Sequence, residues 1–305
     1  MHVPEAELAR GKFVEYVHPA GEIRVHYHEV IGGEEPIVLV QSGGAGSSAY
    51  MTWYRNLVPL ADAGHHVFAP DMIGFALSEL VDQPGKRVNS SEFLVGFMDA
   101  VGVSRAHLIG NSMGSNAISR LATDHPERVR SLIFTGGEPR VDSDETRAIS
   151  RELGKTARVD FVRQMFAKPE VDFADMRQAT VAFFYNGDDP AVDEVTAMRL
   201  EAVRRPGVHE REREAAQGQI ARGRETFESS NLAQIQAPTY LIHGRDERNF
   251  YAPDIAPALL EAAIRAALVI PDCSATILSH CGHWPQIEQA DVFNTLALEF
   301  IRRTP

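Results

Sequence analysis

Apolar residues in the first half of the chain gather into short runs separated by polar stretches. The runs are FVEYV (13 to 17), IRVHYHEV (23 to 30), PIVLV (36 to 40), HVFAPD (66 to 71), AHLIG (106 to 110) and SLIFTGG (131 to 137). In the second run Ile23, Val25 and Tyr27 alternate with polar partners, which predicts a half-exposed antiparallel strand. The later runs are continuously apolar, the pattern of strands in a parallel sheet covered by helices on both faces. Between them lie segments of helical period. WYRNLVPLADAG (53 to 64) ends on a glycine suited to a helix C-terminus, and SSEFLVGFMDAVG (90 to 102) places Phe93, Leu94, Phe97, Met98 and Val101 on one face. Strands alternating with helices predict an α/β class fold, a mostly parallel, doubly wound sheet with right-handed crossovers.

From about Glu138 to Glu228 the strand-like runs stop and the chain turns polar and helical, with charged stretches such as HEREREAA that read as a solvated helix face. Strand signals return with PTYLIHG (238 to 244) and ATILSHCGHW (275 to 284). The expected organisation is therefore an α/β core, residues 1–137 and 229–305, interrupted by a helical cap over 138–228.

Composition narrows the partners. A net charge of −12 over 305 residues disfavours nucleic acid and anionic membrane, both of which reward basic patches, and leaves a small-molecule substrate as the expected partner. Two cysteines, Cys273 and Cys281, make neither a disulfide framework nor a four-ligand zinc site, which points to a reducing cytoplasm. The histidines are scattered, with no H-E-x-x-H or C-x-x-C spacing, so no metal is expected. The N-terminus MHVPEAELARGKF lacks the apolar core of a signal peptide, and no run reaches the length of a membrane span.

The chemistry centres on Gly110-Asn111-Ser112-Met113-Gly114, a G-x-S-x-G sequence that follows one apolar run and opens a helical one. That is the setting of a nucleophile elbow: a sharp turn strains the backbone at the serine, and glycines on both sides let strand and helix approach. A serine hydroxyl needs a general base, and the base needs an orienting acid, in the chain order serine, acid, histidine. Asp246 follows the run YLIHG, with Glu247, Asp254 and Asp272 as competitors; His283 lies in a glycine-flanked loop, with His280 and His243 as competitors. His243 falls inside its strand and reads as packed. Donors for a developing oxyanion are expected from the amide of Met113 and from the glycine-rich loop QSGGAGSSAY, which contains Gly43, Gly44 and Gly46 and lacks the lysine of a phosphate loop.

These residues carry a resemblance. GGAGSSAYMTWYRN, APDMIGFALSE, LIGNSMGSNA, HGRDERN and SHCGHWPQIEQADVFNTLALEFI together resemble the meta-cleavage product hydrolases, α/β-hydrolases that split carbon–carbon bonds in aromatic degradation. The resemblance implies hydrolysis of a vinylogous 1,5-diketone acid without a cofactor. It further implies Ser112 as nucleophile, His283 as proton shuttle, Asp246 as its partner, and the Met113 and Gly43 amides as the oxyanion hole. Asn111 and Trp284, with Gly44, would meet the dienoate end, and Arg199 in VTAMRLEAV the substrate carboxylate, with Arg204 and Arg205 close by. Family habit admits a homodimer, which nothing in the spacing shows. The family's first loop usually reads H-G-x-G-P-G, whereas Gln41, Ser42, Gly43, Gly44, Ala45 and Gly46 stand here; Thr52 replaces a common asparagine and Ser115 a second glycine. The expected function is C–C bond hydrolysis, with an ester or lactone hydrolase as the alternative on the same triad and a non-catalytic ligand-binding protein as the alternative of another class.

Overall fold

A computed structural model describes residues 10–81, 88–137, 157–217, 229–247 and 256–304. Along the chain run β1 (Lys12–His18), β2 (Gly21–Ile31), β3 (Glu35–Val40), α1 (Ala49–Trp53), α2 (Leu57–Asp62), β4 (His65–Pro70), β5 (Glu79–Val81), α3 (Ser90–Ala100), β6 (Ala106–Asn111) and α4 (Met113–Asp124). There follow β7 (Val129–Thr135), α5 (Ala157–Ala167), α6 (Phe173–Val181), α7 (Pro190–Val203), α8 (Val208–Ala216), α9 (Ser229–Leu232), β8 (Thr239–Gly244), α10 (Ala256–Val269), β9 (Cys273–Leu278), α11 (Pro285–Glu288) and α12 (Ala290–Arg303).

The sheet runs β1-β2-β4-β3-β6-β7-β8-β9, with the short β5 paired to β2. β1, β2 and β4 are antiparallel neighbours, while every pair from β4 through β3 to β9 is parallel. The period of two along each strand divides the core into two layers. On one face Val38, Val40, Leu108 and Phe134 pack with Phe93, Phe97, Ile118 and Leu121 from α3 and α4. On the other, Ile37, Leu39, Ile109 and Ile133 pack with Trp53, Leu57, Leu60, Phe293 and Ile301 from α1, α2 and α12. Each such fully buried side chain contributes roughly 1.5–3 kcal/mol, so burial on both faces anchors the strands that carry the site.

Local signals account for the helix boundaries. Asn89 caps α3 through a reciprocal box: its side chain accepts from Glu92 N at 2.8 Å, and the Glu92 carboxylate accepts from Asn89 N. Asp189 caps α7, with Pro190 in its first turn.

Two expectations are corrected. The single helix expected over 53–64 is two, α1 and α2, broken at Tyr54–Asn56; the Asn56 side chain donates instead to Gln286 O and Asn294 Oδ1, at 3.1 and 2.8 Å, anchoring the break to the C-terminal elements. β2 is not half-exposed, because neighbours pair with both its edges, Tyr27 meets the Phe97 ring at 5.4 Å on one face and His28 meets Tyr50 at 5.2 Å on the other.

Between β7 and β8 the described chain is helical, α5 to α8, with its own apolar cluster of Met165, Phe166, Val171, Met176, Leu200 and Val203. The cluster includes Ala45 from the loop after β3, so these helices sit against the C-terminal ends of the strands. The expected cap limits at 138 and 228 lie outside the described residues. Among those residues no helix is long and apolar enough to cross a membrane.

Candidate active site

Ser112 stands between the end of β6 and the start of α4 with φ 55° and ψ −109°, a conformation that non-glycine residues rarely hold and that costs about 1–3 kcal/mol. Packing enforces it. A Cβ on Gly110 would lie 2.5 Å from Gly114 C, and one on Gly114 only 2.2 Å from Val40 O, so strand, turn and helix can meet this closely only with glycine at both places. The Ser112 amide donates to Thr135 O at 2.9 Å, which ties the turn to the end of β7. Gly137 passes so near that an added Cβ would be 3.0 Å from Ser112 Cα.

Met113 opens α4, where the first amides have no partner within the helix and favour negative charge. Gly43 in the loop after β3 lies beside it: a Cβ there would be 3.2 Å from Met113 Cβ. The loop is braced from below by buried hydroxyls. Ser42 Oγ is 3.1 Å from Ser47 Oγ and 3.2 Å from Thr52 Oγ1, and Ser47 Oγ donates to Ser42 O at 2.7 Å. Gln41 spans the loop base, accepting from Met72 N at 3.1 Å. Thus Gln41, Ser42 and Thr52, where the sequence departs from the H-G-x-G-P-G pattern, form a hydrogen-bonded floor under Gly43 and Gly44. Gly44, at φ 107°, has no described residue within 4 Å of where a Cβ would be.

The histidine side brings the main correction. His283 Nδ1 lies 2.5 Å from an oxygen of Glu247, not of Asp246. Asp246, the expected partner, turns outward: it accepts from His280 N at 2.6 Å and pairs with Arg245 at 3.2 Å. Desolvation pulls the Asp246 carboxyl up, but the His280 amide and Arg245 outweigh it and hold the group below its ordinary value. The cause of the swap is direction. After β8 ends at Gly244 the two neighbouring acids point opposite ways, and the second, buried residue faces the histidine loop. The other oxygen of Glu247 is 3.3 Å from His243 Nε2, inside β8. Burial holds His243 below the usual histidine range, Glu247 works against this, and His283 adds to it. Among the three competing acids only Glu247 and Asp272 lie in the described residues.

The remaining expected residues converge here in different ways. Asn111 is fully buried and donates its amide to Thr135 O at 3.2 Å, His283 O at 3.3 Å and Gln286 Oε1 at 3.4 Å, so it braces the histidine loop against the elbow. Trp284 is wedged between core and inserted helices, its ring 4.7 Å from Phe183 and 5.4 Å from Phe184. Asn111 Oδ1 and Trp284 Nε1 are buried with no hydrogen-bond partner among the described residues. Arg199 on α7 is buried and reaches the loop after β3, giving Nε to Ala45 O at 3.0 Å and Nη1 to Thr180 Oγ1 at 2.9 Å. Loop and helix touch so closely that a Cβ on Gly46 would be 2.4 Å from Arg199 O. Arg204 and Arg205 instead pair outward with Glu170 and Glu201.

Glu288, which the sequence did not single out, ends α11 and accepts from Gly282 N at 2.8 Å and Tyr185 N at 2.7 Å. Burial pushes its carboxyl up to about 7 against those hydrogen bonds. One buried His/Asp group, His26, His28 and Asp71, has ligand-type atoms within 4.8 Å of one another. Its atoms are engaged in holding β2, β4 and α1 together: His26 Nδ1 is 2.7 Å from Asp71 Oδ2, His26 Nε2 is 2.9 Å from Arg10 O, and Asp71 Oδ1 accepts from Ala49 N at 2.7 Å.

Comparison with known proteins identifies the family to which this fold belongs. A family model described as the alpha/beta hydrolase fold matches residues 36–290. A 2-hydroxy-6-oxo-6-phenylhexa-2,4-dienoate hydrolase of Comamonas testosteroni is 30% identical over 280 residues, covering 92% of this chain and 91% of its own length. A 2-hydroxy-6-oxononadienedioate/2-hydroxy-6-oxononatrienedioate hydrolase of Burkholderia vietnamiensis is 28% identical over 303 residues, 99% of both chains. Among solved structures, a meta-cleavage product hydrolase from Pseudomonas fluorescens IP01 superposes with a TM-score of 0.75 at 25% identity, covering 97% of this chain and 99% of that one.

Proposed function

The chain belongs to the alpha/beta hydrolase fold family, and within it to the meta-cleavage product hydrolases, and we propose that it hydrolyses the C–C bond of a dienone acid with a Ser112-His283-Glu247 triad. The observation that carries the triad is the 2.5 Å pairing of His283 Nδ1 with buried Glu247, which fixes the ring and leaves Nε2 as its basic atom. Ser112 Oγ adds to the ketone carbonyl and passes its proton to His283. The Met113 and Gly43 amides receive the oxyanion. Collapse breaks the C–C bond of the 2-keto tautomer of the substrate, in which the leaving carbon is saturated; it departs as a conjugated dienolate, which takes up the proton from His283. Water, deprotonated by His283, then releases the acyl group as a carboxylic acid, restoring Ser112.

The substrate class is supported by the two relatives, whose names are those of hydroxy-oxo-dienoate hydrolases, and by Arg199, which brings a permanent cation to the donor loop. The inserted helices α5 to α8 serve as the cap over this site. The test sets yellow ring-fission dienones beside p-nitrophenyl esters under the same conditions. Bleaching of a dienone with slow ester turnover is expected. Robust ester turnover with no dienone bleached would assign the triad to an esterase or lactonase.

A further inference from the structure

Glu288 lies where two parts of the molecule meet. Tyr185 belongs to the turn between α6 and α7, in the inserted helices; Gly282 belongs to the loop that presents His283 from the core. The amide of each donates to a different oxygen of the same carboxylate, at 2.7 and 2.8 Å. A third bond runs alongside, from His283 N to Phe183 O at 2.8 Å. The approach is close: a Cβ on Gly282 would sit 2.5 Å from Phe183 O and 2.9 Å from a Glu288 oxygen. The Phe183 ring lies 5.2 Å from the His283 ring.

Two amide donors from separate segments, converging on one side chain, require an acceptor with two oxygens and no hydrogens of its own. A carboxylate meets that demand in its ionised form, which predominates above the value of about 7 to which burial pushes Glu288; a carboxamide would turn an NH₂ toward one of the two donors.

We propose that Glu288 is a positioning residue that registers the inserted helices against the histidine loop, so that the backbone carrying His283 is held in one place relative to the cap. The role of His283 rests on the reading in the preceding section; the clasp itself does not. Glu288 touches no reacting atom. It acts through Gly282 on one side and Tyr185 on the other.

Glu288→Gln tests this above pH 7, where the wild-type carboxylate is ionised, with two readouts, amide exchange by NMR and steady-state kinetics on whichever of the dienone or ester the wild type turns over. The Tyr185 and Gly282 amides should both exchange about 10-fold faster or more, since each loses a charge-assisted acceptor. The value of kcat should fall about 10- to 100-fold, with KM within roughly 3-fold, as expected for a displaced general base rather than a lost binding contact. Unchanged exchange at Tyr185 would overturn the clasp. Faster exchange with unchanged kcat would overturn the positioning role, as would a rise in KM alone. Should Glu288→Gln not fold, Glu288→Asp keeps the charge, shortens the reach and carries the same expectations. If the wild type turns over neither substrate class, the preceding reading fails, while the exchange of Tyr185 still decides whether the clasp exists.

Discussion

The serine end and the acid end of the site are built by different means. At the elbow, backbone geometry does the work: Gly110 and Gly114 are pressed against their neighbours, and Ser112 is held at φ 55° because strand, turn and helix admit no other path. At the acid end, two adjacent carboxylates sit on a loop of ordinary conformation, and the direction of each side chain decides which one meets His283. A feature enforced by steric exclusion leaves a residue signature. A choice between neighbouring side chains leaves almost none, because Asp246 and Glu247 have the same chemistry one position apart.

The largest effect should come at the serine. Ser112→Ala is expected to lower kcat by about 10⁴-fold or more in steady-state assays, with the fold intact, since the proposed nucleophile is then absent. The acid end separates the two carboxylates. Glu247→Gln should cost about 10³- to 10⁴-fold in kcat, because the ring of His283 loses its orienting charge, whereas Asp246→Asn should cost less than about 10-fold. Equal losses would erase the distinction drawn here.

Stability sharpens the same contrast. Gly114→Ala places a Cβ 2.2 Å from Val40 O and should destabilise by more than about 3 kcal/mol in denaturant unfolding, or prevent folding. Gly44→Ala meets none of the described residues and should cost the strain of φ 107°, about 1–2 kcal/mol. The smallest effect lies in acid. Because its folded-state pKa is lowered, Asp246 contributes stability that is present above its unfolded value of 3.8 and is lost as pH falls through the folded one. Asp246→Asn should therefore flatten the fall of the thermal midpoint below about pH 4.

How much could be read from the sequence follows the same division. The buried strands were legible because their runs are continuously apolar, and the elbow because G-x-S-x-G lies between a strand and a helix. The break between α1 and α2 was hidden, since WYRNLVPLADAG keeps helical period through it and the cause, Asn56 bonding to Gln286 and Asn294, is more than two hundred residues away in the chain. β2 read as half-exposed because His26 and His28 are polar; they are buried in hydrogen bonds and ring contacts that alternation cannot show. Glu247 was visible as a candidate, yet only the way the chain turns after Gly244 distinguishes it from Asp246. Glu288 carried no signal, because its partners are backbone amides, which every residue but proline has.

In the proposed triad Glu247, and not Asp246, holds His283. Proton NMR of the imidazole Nδ1–H tests it most directly, because a proton shared with a buried carboxylate is strongly deshielded. The wild type should show one such resonance that Asp246→Asn retains and Glu247→Gln loses. A resonance that survives Glu247→Gln and vanishes in Asp246→Asn would contradict the account.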